Sequence, residues 1–389
     1  MAGEYQILEQ WDCGGLIFRL VDGTTSSTDG RVLIDVRGHA WLEMALPGPH
    51  MLATLAKDQV IVGTTIPQGL QVEVAGAMPS RVTFDSNTGL SVVVWDFIEA
   101  KIGQAPASPT GTVASLKCVR VLGPCAFKYA GRLCRLDAIH HQADRRPGLI
   151  SGRLTIDGGL DYAPVSCLLT LAQRCLIGAP MVKVHDGPNI ALVVLRPNAS
   201  PYEAGNPLIP RDGAKLANFL EQTLPAFQAK SAGYELGRLI EYYGLSVQNS
   251  FGEIKFILAS VLMEAFKFFW AKNVAQKTPD LKANGLIRGF IKSYGKKGKP
   301  VNYTFEELLT EACASLNYST TFTFVEDRNA LFHSGAPGGH QHGATSTWAA
   351  LRPELVTLYR QIDDILLTLL GYAGPILRWD TPDQEDAFP

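Results

Sequence analysis

The feature that most constrains this chain is a change in the period of its apolar residues near position 200. Before that point, short runs rich in Val, Ile, Leu, Thr and Phe recur between Gly, Pro, Asn and Asp. Runs of that length and composition are what strands are made of. They are Leu16–Val21, Arg31–Val36, Gln59–Val62, Gln71–Ala75, Arg81–Phe84, Leu90–Phe97, Thr112–Val121, Gly152–Asp157, Tyr162–Leu171 and Ile190–Leu195. Their number and spacing predict an antiparallel all-β region over residues 1–195, sandwich or barrel-like, in one piece or as two subdomains. The stretch Gln104–Thr112 is either a subdomain joint or a long hairpin loop.

Residues 196–213, RPNASPYEAGNPLIPRDG, are dense in Pro, Gly and Asn and read as a linker. Beyond them the period becomes 3.6. Ile254, Ile257, Leu258, Val261, Leu262, Ala265, Phe268 and Phe269 fall on one face of a long helix. Thr304-Phe305-Glu306-Glu307 is a capping box that opens another. A last helix starts near Pro353, buries Leu355, Leu358, Ile362, Ile365, Leu366 and Leu369, and stops at Gly371. Residues 320–333 read as helical too, although TTFTFV has strand propensity, because packing in a bundle overrides propensity. The expected fold class is therefore multidomain α and β. An all-β region precedes an all-α helical bundle over 214–374, and an acidic tail, 375–389, is expected to fray.

Composition excludes more than it selects. A net charge of −2, with 46% hydrophobic and 19% charged residues, is that of an ordinary globular protein and names no partner. The seven cysteines (Cys13, Cys118, Cys125, Cys134, Cys167, Cys175, Cys313) are odd in number and lack metal-ligand spacing. The N-terminus shows no apolar run behind positive charge, and no stretch of about 18 apolar residues occurs. The expectation is a cytoplasmic protein with no membrane segment and no cofactor. There is no P-loop, dinucleotide fingerprint, GxSxG or HExxH.

The residues that carry chemistry are in Glu326-Asp327-Arg328-Asn329-Ala330-Leu331-Phe332-His333-Ser334-Gly335. A histidine near neutral pKa moves the 2′-hydroxyl proton of RNA. An arginine fork binds the scissile phosphate and the charge that develops on it. Asn329 is placed to orient these groups or to contact RNA. Spacing alone does not single this segment out, since Arg135-Leu136-Asp137-Ala138-Ile139-His140, with His141 next, has the same form in the strand-rich half. The helical context and the polar neighbour of Arg328 separate the two. Residues five apart on a helix differ by about 140° around its axis. Arg328 and His333 therefore converge only if His333 lies past a helix end or a second copy completes the site.

With a long first helix, a helical hairpin, then Arg328-Asn329…His333 before a last helix ending LLGYAG, residues 230–374 resemble HEPN domains, most nearly the Apea-like group. That resemblance implies an all-α HEPN-type bundle whose Arg328, Asn329 and His333 belong to a homodimeric, metal-independent endoribonuclease. It further implies antiviral defence or toxin-type RNA degradation, with the β-rich region bound by a regulatory protein or ligand. The alternative is a non-catalytic HEPN module for binding or dimerisation within a larger assembly.

Residues 255–299 hold ten Lys or Arg against two acids, Glu264 and Asp280. Lys292, Lys296, Lys297 and Lys299 make the densest part, read as a flexible RNA-binding loop with Tyr294 for base stacking. Glu264 reads as a surface acid beside Glu253 and Lys267. His340-Gln341-His342 reads as part of a glycine-rich loop rather than a metal site.

Overall fold

Alternation of apolar and polar residues carries most of the first half into strands, and tertiary contacts decide the rest. The computed structural model describes residues 6–50, 52–139, 149–187, 189–195, 199, 206–248, 252–295, 298–334 and 346–389, with the backbone alone for 331–334 and 346–351. The chain divides into two units, Met1–Tyr162 with Ile177–Glu203, and Ala163–Leu176 with Ala204–Pro389.

The first unit holds β1 (Ile7–Arg19), β2 (Thr25–Asp35), β3 (Ala40–Pro47), β4 (Gln59–Thr65), β5 (Gln71–Asp85), β6 (Leu90–Asp96), β7 (Glu99–Ile102), β8 (Gly111–Lys117), β9 (Cys125–Tyr129), β10 (Arg132–Ala138) and β11 (Ile150–Asp157). After α1 (Ala163–Gln173), which belongs to the second unit, the chain returns for β12 (Met181–Asp186) and β13 (Asn189–Leu195). These thirteen strands form one antiparallel sheet in the order β4-β1-β2-β3-β6-β5-β7-β13-β12-β8-β11-β10-β9. β4 also pairs with β5, so six strands close into a hydrogen-bonded ring. β5, 15 residues long, serves three partners, β4 and β7 along its first half and β6 along its second. Gly76, at φ +64, marks the join. Leu16, Val32, Leu42, Ile61, Val74, Val93 and Trp95 meet in one buried core, as side chains on alternate positions must.

The second unit adds α2 (Gly213–Tyr234), α3 (Leu236–Gln248), α4 (Gly252–Phe269), β14 (Pro279–Leu281), β15 (Ile287–Tyr294), β16 (Pro300–Asn302), α5 (Phe305–Ala314), α6 (Phe324–Ser334), α7 (Ser346–Leu370), β17 (Gly374–Leu377) and β18 (Glu385–Phe388). The expected all-α bundle is thus overturned. A three-stranded antiparallel sheet, β14-β15-β16, stands between α4 and α5, and β17 pairs with β18. Asn284-Gly285 makes the first reversal, with Gly285 at φ +78 and the Lys282 N–H donating to the Leu286 carbonyl. That dipeptide is a hairpin signal, hidden in sequence by the lysines around it. The tail does not fray. Lys215 holds Glu385, Arg360 holds Asp380, and Arg378 lies between Asp364 and Asp386.

Tyr162–Leu171, read as a strand, is helix α1. Val165, Leu168, Leu169, Leu171 and Ala172 are all buried, and a segment apolar on every side has no period to read. Pro164 sits in its first turn, where a missing N–H costs nothing. In α4 the buried face is Phe256, Ala259, Met263, Phe266 and Trp270 beyond its end, whereas Ile257, Leu258, Val261 and Phe268 are half-buried. The helix is apolar nearly all round, so packing chose the face. The last helix begins at Ser346, seven residues before Pro353, and its expected core residues are all buried up to Gly371 at φ +67.

Candidate functional site

Phe305 is where the site begins. The Thr304 hydroxyl accepts the Glu307 N–H at 3.2 Å and the Glu307 carboxylate accepts the Thr304 N–H at 2.9 Å. This capping box fixes the first residue of α5. The Phe305 ring meets Phe324 edge to face at 6.0 Å, and Phe324 meets Phe322 in the same way at 6.1 Å. An aromatic ladder therefore ties the start of α5 to the start of α6. Helix α6 starts only at Phe324, so the Thr320–Thr323 part of TTFTFV is not helical.

Arg328, one turn into α6, lays its guanidinium over the Phe305 ring at 4.3 Å. A contact of this kind contributes about 0.5–1 kcal/mol where exposed and about 2 kcal/mol or more where desolvated. Its Nη2 donates to Glu264 Oε2 at 2.8 Å and its Nη1 to Asn329 Oδ1 at 2.9 Å. The other oxygen of Glu264 takes the Lys267 ammonium at 2.7 Å, and that ammonium lies 5.0 Å from the same Phe305 ring. Lys267 is not the surface residue expected: its side chain is 10% exposed, against 19% for Arg328 and 42% for Glu264. Two cations lie beneath one half-exposed carboxylate. Neither Lys267 nor Phe305 was singled out in sequence, because a lysine on a helix and an aromatic after a cap both read as ordinary.

His333 lies in the last turn of α6, so the break before it that would bring it round to Arg328 is not made. Its side chain is outside the described residues, as are His140, His141, His340 and His342. Asn329 is exposed and is held to the Arg328 fork.

Of the lysines read as a loop, Lys292 belongs to a strand, whereas Lys299 lies between β15 and β16, outside both. Lys292, near the end of β15, pairs with Glu307 at 2.5 Å, which raises its pKa. Lys299 is exposed, and Lys296 and Lys297 are outside the described residues. Lys277 is held by Glu311 at 2.7 Å and by the Tyr303 hydroxyl at 3.0 Å, with its ammonium 4.7 Å from the Tyr303 ring. The positive excess read over 255–299 is thus partly matched by acids of α5, which the window excluded.

Two clefts lie elsewhere. One of about 500 Å³ is lined by Gly14, Gly15, Gly63, Thr64, Glu73 and Lys101 on the first unit. The other, about 580 Å³, is lined by Tyr318, Asp364, Tyr372, Arg378 and Phe388 on the second. Among the described residues no group of three or more His, Cys, Asp or Glu is placed to hold a metal ion. No described helix is long and apolar enough to cross a membrane. Comparison with protein-family models, with curated proteins and with solved structures found no match.

Proposed function

We propose that this chain is an endoribonuclease that cleaves RNA by attack of the 2′-hydroxyl, without a metal. Arg328 binds the scissile phosphate and the charge that grows on it, and His333 moves the proton. What supports the reading most is the seat of Arg328. Its guanidinium rests on Phe305 and is held at both Nη atoms, on the helix that also carries His333. A fork fixed before substrate arrives loses little entropy in gripping a phosphodiester. The Arg328-Asn329…His333 element is the one by which residues 230–374 resemble Apea-like HEPN ribonucleases. Because positions 328 and 333 are separated by about 140° around the axis of one helix, a homodimer with facing copies of α6 completes the site. The β-rich unit then restrains or recruits, and its Glu73–Lys101 cleft is where a regulatory ligand would bind.

One observation favours a second reading, a non-cleaving RNA-binding module: Arg328 is already engaged by a carboxylate. A single assay separates the two. Single-stranded RNA is incubated with the protein in EDTA, alongside His333→Ala. The nuclease yields fragments ending in 2′,3′-cyclic phosphate and leaves DNA and 2′-O-methyl RNA intact, while His333→Ala yields none. Binding without fragments, or cleavage seen only after magnesium is restored, rejects the nuclease.

A further inference from the structure

Arg328 and Lys267 come from different helices, α6 and α4, yet each holds one oxygen of the same carboxylate, that of Glu264. Both lie against one face-presenting ring, Phe305, at 4.3 and 5.0 Å. Exposure follows a consistent order: the two cations are nearly buried and the carboxylate is half-exposed. Two donors spaced to take the two oxygens of one carboxylate are also spaced for two oxygens of a phosphate. The carboxylate between them is negatively charged, bidentate and reachable from solvent, as a bound phosphodiester would be. It is also tethered, because Glu264 and Lys267 are three residues apart on one helix and pair at little entropic cost.

The geometry points to a phosphodiester subsite formed by Arg328 and Lys267 on the Phe305 ring, which Glu264 occupies as a latch until a nucleic-acid phosphate displaces it. Lys267 is then the second cation of the site and Phe305 its floor. Displacement exchanges one anion for another on fixed donors, so it needs no rearrangement of the two helices. Released, Glu264 has solvent beside it and loses little by swinging out. A partner of the wrong charge, or a lone weak anion, does not open such a site, because the tethered carboxylate competes at high effective concentration. This inference rests on the ribonuclease reading for its substrate class, but not on cleavage itself.

The test is binding of a fluorescent 2′-O-methyl oligoribonucleotide, which cannot be cut by 2′-hydroxyl attack, to the full chain at fixed salt. Glu264→Gln removes the competing charge and is expected to tighten the complex by about tenfold. Lys267→Gln is expected to weaken it severalfold and, combined with Glu264→Gln, to abolish the gain. Glu306→Gln removes the same charge from an exposed position on α5 and is expected to change affinity little. Unchanged or weaker binding by Glu264→Gln, at an unchanged melting temperature, overturns the latch. So does an equal gain from Glu306→Gln, which makes the effect one of net charge. Should Glu264→Gln fail to fold, unaltered affinity in Lys267→Gln overturns the subsite on its own. The two readings fail separately. Tighter binding by Glu264→Gln with no cleavage of ordinary RNA by any variant rejects the nuclease and keeps the anion site. Cleavage by the wild type without tighter binding by Glu264→Gln does the reverse.

Discussion

Arg174 and Asp363 are 189 residues apart in sequence and form a fully buried ion pair, Nη2 to Oδ2, at 2.6 Å. Around it the Tyr243 hydroxyl donates to Asp363 Oδ1 at 2.5 Å and the Trp379 indole N–H to Oδ2 at 3.1 Å. The Trp379 ring stacks on Tyr359 at 4.6 Å and covers the guanidinium at 4.2 Å. Arg174 also reaches the Leu377 carbonyl at 3.0 Å. One charged pair thus joins the end of α1, α3, α7 and the C-terminal hairpin. Burial raises the Tyr243 hydroxyl well above its usual range, so it stays a donor to Asp363.

Breaking this pair one partner at a time is expected to cost about 3–5 kcal/mol, because a buried charge is left without its counter-charge. Asp363→Leu and Arg174→Met should each lower the melting temperature steeply. The double variant Arg174→Met with Asp363→Leu should recover much of the loss, as apolar groups of similar volume need no partner. Chemical denaturation of the four proteins measures this, and additive losses would contradict it.

In the proposed site, shape matters beyond charge. Arg328→Lys keeps the cation and loses the fork and the flat contact with Phe305. It is expected to lose on the order of a hundredfold in cleavage rate, approaching Arg328→Ala. His140→Ala should leave the rate unchanged. Single-turnover cleavage of one RNA by the three variants decides the matter, and near-wild-type activity in Arg328→Lys would show that the stacked fork is dispensable.

Reversing the charges of Lys296, Lys297 and Lys299 should weaken RNA binding and flatten its dependence on salt, since fewer counterions are released. Lys292→Glu should do more harm to folding than to binding, because it places a second acid against Glu307 at the cap of α5. Affinity measured across a salt titration tests the first statement and thermal melting the second.

Of the seven cysteines, six are buried and Cys167 is half-buried. Burial pushes Cys13 and Cys134 up to about 11 and Cys313 up to about 12, from an ordinary 9.0. A thiol whose pKa is higher folded than unfolded contributes stability that is complete below pH 9 and is lost as pH rises through 11–12. The protein should therefore lose stability in alkali over that window. Variants Cys134→Ala and Cys313→Ala should show a shallower alkaline limb. At pH 8 a thiol-specific disulfide reagent should titrate Cys167 ahead of the others in the native protein and all seven in denaturant.

What the sequence determined by itself is whatever local chemistry decides. Alternation at a period of two produced the strands of the first unit, the Thr304–Glu307 box set the start of α5, and Gly371 ended α7 because only a residue free of a Cβ enters that left-handed turn at no cost. Tertiary structure decided what had no local signature. Residues 163–173 are a helix that the sequence did not show, since burial on every side erases periodicity, and packing chose which face α4 turned inward, since the helix is apolar on more than one. Strands β14 to β16 replaced an expected bundle segment because pairing across Asn284-Gly285 satisfies backbone groups that a lysine-rich loop would leave to water. The seat of Arg328 needed α4, α5 and α6 together. Glu264, Lys267 and Phe305 lie 64, 61 and 23 positions away from it in the chain (328 − 264, 328 − 267 and 328 − 305), and no spacing rule links residues brought together only by packing.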